Sequence, residues 1–103
     1  MKVAIESNDG ITINSPFTRP KGYLVYEIGE TGIKSSELIK ASRDVQQKNL
    51  KDCETIISRG MDRNHFLQLK KLGVDVFITF KSSAKDAVHI FMKESLLKQG
   101  STH

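Results

Sequence analysis

Thr55-Ile56-Ile57-Ser58-Arg59-Gly60-Met61-Asp62-Arg63-Asn64-His65-Phe66-Leu67-Gln68-Leu69-Lys70-Lys71-Leu72-Gly73-Val74-Asp75-Val76-Phe77-Ile78-Thr79-Phe80 is the stretch that decides the fold. Its ends, 55–58 and 74–80, are short runs rich in β-branched and aromatic residues and predict strands. Between them Asn64 suits a helix cap, Phe66, Leu69 and Leu72 recur at helical spacing, and Gly73 is placed to end the helix. A strand–helix–strand crossover of this length makes its two strands parallel and its connection right-handed.

Upstream the signals are antiparallel. Lys2 to Ser7 reads as a strand, Asn8-Asp9-Gly10 as a tight turn, and Ile11-Thr12-Ile13 as a short returning strand. Both prolines, Pro16 and Pro20, fall in the loop from Asn14 to Gly22, where Phe17 is the expected apolar anchor. Tyr23 to Ile28 is the strongest strand signal, and Ile33 to Ile39 pairs back on it as an edge strand after the Gly29–Gly32 turn. Ser42 or Asp44 caps a helix over Val45 to Cys53, with Gln47 completing a capping box for Asp44. Ser83 caps the last helix, with Ala84, Ala87, Val88 and Phe91 along one face. The expectation is an α/β fold with a mixed five-stranded sheet and three helices, one domain over residues 1–98 and a flexible tail over 99–103.

Composition narrows the function classes. The chain has 103 residues, with 16 Lys+Arg against 12 Asp+Glu, and its net charge is +4. No stretch approaches the roughly 20 apolar residues of a membrane span, and Met1-Lys2-Val3-Ala4-Ile5 meets a charge and a turn too soon for a secretory leader. The single cysteine, Cys53, excludes an internal disulfide and a Cys-only metal site; it suits a reducing compartment and predicts a cytoplasmic protein. Its place before an apolar strand reads as a buried structural thiol. His65, His89 and His103 share no metal-ligand spacing. Glu6 is the one carboxylate expected at the centre of the sheet; Asp9, Glu27, Asp52 and Glu54 have no route to it, so a two-metal nuclease is not expected. The cations are spread over all helices without interleaved exposed aromatics, so nucleic acid is not the expected partner. No catalytic residues and no protein metal ligands are assigned.

The order of elements and several short strings resemble the dinitrogenase iron–molybdenum cofactor biosynthesis family over about Met1 to Leu97. The strings are Val3-Ala4-Ile5-Glu6-Ser7-Asn8-Asp9-Gly10, Phe17-Thr18-Arg19 followed by Tyr23-Leu24-Val25-Tyr26-Glu27, Ile56-Ile57-Ser58-Arg59-Gly60-Met61, and Leu69-Lys70-Lys71-Leu72-Gly73-Val74 with Val76-Phe77-Ile78. Pro16 and Thr18 stand where the family pattern has His and Gly, and Lys40-Ala41-Ser42-Arg43-Asp44 carries no His or Cys. The resemblance implies a ribonuclease H-like fold. It also implies a role in holding an iron–sulfur or iron–molybdenum cluster or its precursor, with a cluster donor or acceptor protein as partner.

The residues themselves suggest an anion site. In sheets with parallel strands, ligands bind beyond the carboxyl ends of those strands. Those ends are Asn8-Asp9, the loop carrying Arg59, Gly60, Arg63, Asn64 and His65, and Lys81-Ser82-Ser83, with Arg19 reaching in from the first loop. Two of the ends open helices, whose first N–H groups and dipole favour anions. A sulfide-rich cluster is itself anionic, so such a site suits the cargo without protein ligands. The expected function is a non-enzymatic carrier; the alternative is a divergent protein-interaction or small-anion-binding module.

Overall fold

The chain forms β1 (Lys2–Glu6), β2 (Gly22–Gly29), β3 (Gly32–Lys40), β4 (Thr55–Ser58), α1 (Arg63–Lys71), β5 (Asp75–Ile78) and α2 (Ala84–Gly100). This is the arrangement in a computed structural model, which describes residues 1–16, 20–40 and 52–100. One five-stranded sheet runs in the order β3-β2-β1-β4-β5. The crossover behaves as its sequence requires: β4 and β5 are parallel, with Ile56 opposite Val76. β1 joins them in parallel with Ala4 opposite Ile56. β2 lies antiparallel to β1, and β3 antiparallel to β2. The sheet is mixed, as expected.

Strand periodicity divides the core into two layers. Val3, Ile5, Leu24, Tyr26 and Ile57 meet Ala84, Ala87, Val88 and Phe91 of α2 on one face. Ala4, Tyr23 and Ile56 meet Cys53, Leu69 and Val74 on the other. Ala84 and Ala87 are wholly buried in this layer, and Phe91 meets Phe77 edge-on at 5.5 Å and 73°. On α1 the apolar stripe is narrower than its spacing suggests. Leu69 is buried, whereas Phe66 and Leu72 are partly exposed, and Phe66 lies under the Lys70 ammonium at 5.7 Å.

Gly73 ends α1 as predicted, at φ +79°. The Val74 N–H reaches the Leu69 carbonyl (3.0 Å) and the Gly73 N–H the Lys70 carbonyl (3.0 Å), a Schellman pair of bonds that satisfies the last carbonyls. Leu69 and Val74, at its two ends, share the same core cluster.

Several expectations need correcting or placing. Ile11–Ile13 is not a strand: only Thr12 makes an isolated bridge, to Ser83. The cause is Asp9, whose carboxylate accepts from the Ile11 and Thr12 N–H groups (both 2.8 Å) and the Thr12 hydroxyl (2.7 Å), curling the chain into a closed loop. Asp62, not Asn64, caps α1, because its carboxylate accepts from the His65 N–H at 2.7 Å. β5 stops at Ile78, so Thr79 and Phe80 lie beyond it, while α2 runs on through Gly100 into the stretch expected as tail. Among the described residues there are two helices. The third, expected over Val45 to Cys53, falls mainly on residues 41–51, outside the described residues; Asp52 and Cys53 are not helical. Phe17 and Arg19 also lie outside them.

Candidate functional site at the carboxyl edge of the sheet

The parallel strands β1, β4 and β5 all end at one edge, and hydrogen bonds tie the loops that follow them together. The Thr79 N–H donates to the Ser58 carbonyl (2.9 Å), the Ile13 N–H to Ser82 (2.8 Å) and the Ala84 N–H to Ile11 (3.0 Å). Asn8, Asp9, Arg59, Gly60, Arg63, Asn64, His65, Lys81, Ser82 and Ser83 therefore share this edge.

Sharing the edge does not make each of them available. The Asn8 carboxamide holds two loops together: its oxygen accepts from the Lys21 N–H (2.7 Å) and its nitrogen donates to Asn14 (3.1 Å). Asp9 spends its carboxylate within its own loop, and those hydrogen bonds hold it well below the usual carboxylate range. Ser83 uses its hydroxyl as the α2 cap, accepting from the Asp86 N–H at 3.3 Å. The expected pair of open helix N-termini is thus largely closed. At α2, the Ala84 and Asp86 N–H groups are taken; at α1, Asp62 takes the His65 N–H. The first-turn amides of Arg63 and Asn64 are the donors that remain at α1.

The cations do remain. Arg63 and Lys81 are exposed and Arg59 is half-buried. None of the three makes an ion pair among the described residues, where the pairs are Met1–Glu27 and Lys70–Asp75. Two buried hydroxyls set the backbone that carries them. Ser58 accepts from the Gly60 N–H and donates to the Gly60 carbonyl, both at 3.1 Å, which fixes the start of the Arg59–Asp62 loop. Thr79 accepts from the Lys81 N–H at 3.2 Å.

Beneath this loop lies Glu6, 4% exposed. Burial pushes its carboxyl above the ordinary value, and the neighbouring Ser58 hydroxyl opposes that shift. Sequence had placed Glu6 centrally but not Ser58 with it. The signal was a serine two residues before a glycine at a strand end, the pattern of a hydroxyl-closed turn. A second feature was not legible: Phe80 is 93% exposed and Ile11 71%, so this edge presents apolar side chains beside its cations.

Cys53 is buried, and burial pushes its thiol up to about 11, with Asp52 raising and Lys2 lowering it. It faces the core at the opposite end of β4. Among the described residues no group of three or more His, Cys, Asp or Glu could hold a metal ion. A groove of about 910 Å³ opens between the β2–β3 turn and α2, lined by residues including Met1, Glu27, Lys34 and Phe91, away from the carboxyl edge.

A family model described as dinitrogenase iron–molybdenum cofactor matches residues 1–94. Among solved structures, the crystal structure of a provisional dinitrogenase from Methanocaldococcus jannaschii superposes with a TM-score of 0.79 at 19% identity, covering 91% of this chain and 89% of that one. The NMR structure of the protein from that source gives 0.80 at 19% identity, with coverage of 92% and 89%. A provisional NifB protein from Thermotoga gives 0.67 at 23% identity, with coverage of 89% and 87%. At these identities the likeness establishes the fold alone. No curated protein sequence matches the chain.

Proposed function

The chain belongs to the dinitrogenase iron–molybdenum cofactor family, and on that premise we propose that it is a non-enzymatic carrier, holding an anionic metal–sulfur or oxometallate precursor at the carboxyl edge of its sheet. The observation that carries the reading is the convergence there of Arg59, Arg63 and Lys81, none of them ion-paired among the described residues, beside the Arg63 and Asn64 amides. Charge-assisted hydrogen bonds from such groups recognise a diffuse anion without direct metal ligation. With its thiol buried and raised, Cys53 does not supply a ready thiolate. The strand order, with β2 antiparallel to β1 and β4 parallel to it, also supports the ribonuclease H-like reading of the fold.

Titration with tetrathiomolybdate, molybdate or tungstate, followed by amide NMR shifts, tests the proposal. Shifts are expected at Gly60 to His65 and around Lys81, weakened by salt, and the Arg63→Ala/Lys81→Ala double variant should lose about 1–3 kcal/mol of affinity. Shifts spread over all basic surfaces, or indifference to the double substitution, overturn it. One observation favours the alternative of a protein-interaction module: the exposure of Phe80 and Ile11 at the same edge. A module of that kind stays colourless after anaerobic reconstitution with iron and sulfide, whereas a loaded carrier absorbs in the visible.

A further inference from the structure

β5 ends the sheet order, and among the described residues its outer side has no neighbour. It pairs with β4 in unbroken register, from Thr55 opposite Asp75 to Ser58 opposite Ile78. The Asp75 N–H donates to the Glu54 carbonyl and the Thr79 N–H to the Ser58 carbonyl, both at 2.9 Å, so the odd-numbered residues turn their polar groups toward β4. Alternate residues of a strand bond to opposite sides. The N–H and C=O groups of Val76 and Ile78 are therefore directed at the open edge.

The side chains beside this edge are apolar and exposed. Val76 packs against the cluster that holds Leu69, so Ile78, two residues on, stands on the same face of the sheet as α1 and is 48% exposed. Phe80, almost wholly exposed, follows it. The Lys70 ammonium reaches both the Phe66 ring (5.7 Å) and the Asp75 carboxylate (3.1 Å), which sets Phe66 on the side of α1 turned to β5. The free charge around these residues has one sign. α1, β5 and the segment leading to α2 carry Arg63, Lys70, Lys71 and Lys81 against Asp75 alone, and Asp75 is held by Lys70. Asp62, just before α1, is engaged as its cap.

We infer that β5 takes an extended acidic segment of a different protein as a sixth strand. Its backbone bonds to Val76 and Ile78, its apolar side chains lie against Ile78 and Phe80, and its carboxylates stand beside Arg63 and Lys81. Strand addition draws affinity from main-chain bonds and selectivity from side chains. The open backbone groups call for a peptide rather than another polyanion, and the excess of cations calls for that peptide to be acidic. A second copy does not meet the requirement. A two-fold axis normal to the sheet would keep both α1 helices on one face and bring their cations together. The inference does not depend on what the carboxyl edge carries, although Arg63 and Lys81 serve both surfaces.

The test uses the full chain and two blocked peptides, Val-Val-Val flanked on each side by a pair of Glu or by a pair of Lys, each titrated to about 1 mM. The acidic peptide should slow hydrogen exchange at the Val76 and Ile78 amides by about tenfold or more and leave Phe77, already bonded to β4, unchanged. The basic peptide should not bind. Phe80→Ser, at an exposed position, should weaken the acidic peptide about fivefold through lost apolar contact and leave molybdate binding unchanged. A chain that binds the acidic peptide at β5 but no molybdate keeps this inference and loses the carrier reading. Equal binding of both peptides, or no protection of Val76 and Ile78 up to about 1 mM, overturns it. So does protection of those amides that grows with protein concentration in the absence of peptide, as a second copy at this edge would give.

Discussion

On the proposed anion site, Asp62 pulls stability and binding in opposite directions, and its replacement separates them. Its carboxylate accepts the His65 N–H at 2.7 Å, while its backbone carbonyl accepts Phe66 at 3.1 Å, a bond that survives any side-chain change. Asp62→Ala removes one capping bond, costing about 1 kcal/mol, and removes a negative charge from the positive end of the helix, costing about 0.3–1 kcal/mol more. In a domain near 100 residues each kcal/mol lowers Tm by about 4–8 °C, so the variant should melt roughly 5–16 °C lower. Asp62→Asn keeps the capping oxygen and should recover most of that loss. For binding the sign reverses. A unit charge about 6 Å from a bound oxyanion in a water-like dielectric opposes it by about 0.7 kcal/mol, so Asp62→Asn should bind molybdate about threefold more tightly. Thermal denaturation followed at 222 nm and a molybdate titration read the two effects. An Asp62→Ala variant as stable as the parent, or an Asp62→Asn variant that binds no better, refutes the reasoning.

Glu6→Gln should flatten a pH dependence. The native state keeps the Glu6 proton to a higher pH than the unfolded chain, so stability falls as pH rises from the ordinary carboxyl value of 4.5 through the raised folded one; urea denaturation at several pH values reads the slope, and parallel curves for parent and variant refute it. Cys53→Ser should cost about 1–3 kcal/mol by burying a hydroxyl among apolar side chains, yet leave molybdate binding intact; rapid modification of the native thiol by a water-soluble reagent would contradict its burial. Gly73→Ala meets nothing within 4 Å but forces a side chain into φ +79°, so chemical denaturation should show a loss of about 1–2 kcal/mol from backbone strain alone.

Those predictions rest on features of unequal legibility. The crossover could be read directly, because Ile56, Ile57 and Val76 mark strands and Gly73 marks a helix end with a conformation few other residues adopt. The first turn misled because Asn8-Asp9-Gly10 has hairpin chemistry, whereas the Asp9 side chain captures Ile11 and Thr12 before a strand can form. Asp62 and Asn64 are both good caps, and sequence alone does not choose between neighbours two residues apart. At the site, the cations were visible as residue types. The cap of α2 by Ser83 was legible too, but the capture of the Ala84 amide was not, since its acceptor, Ile11, is far away in the chain. The exposure of Phe80 was equally hidden, because an apolar run does not reveal where its ladder stops.

The pairing of Val3 with Thr55 and of Thr55 with Asp75 also governs the order of folding. The β2–β3 hairpin closes a short loop and can form within microseconds. The parallel ladders require distant segments to meet before any bond rewards them, and β1 must wait for β4 across half the chain. The carboxyl edge exists only after that second, slower event. A nascent or partly unfolded chain would thus display the hairpin well before it owned the carboxyl edge, and on the proposed carrier reading loading would report completed folding.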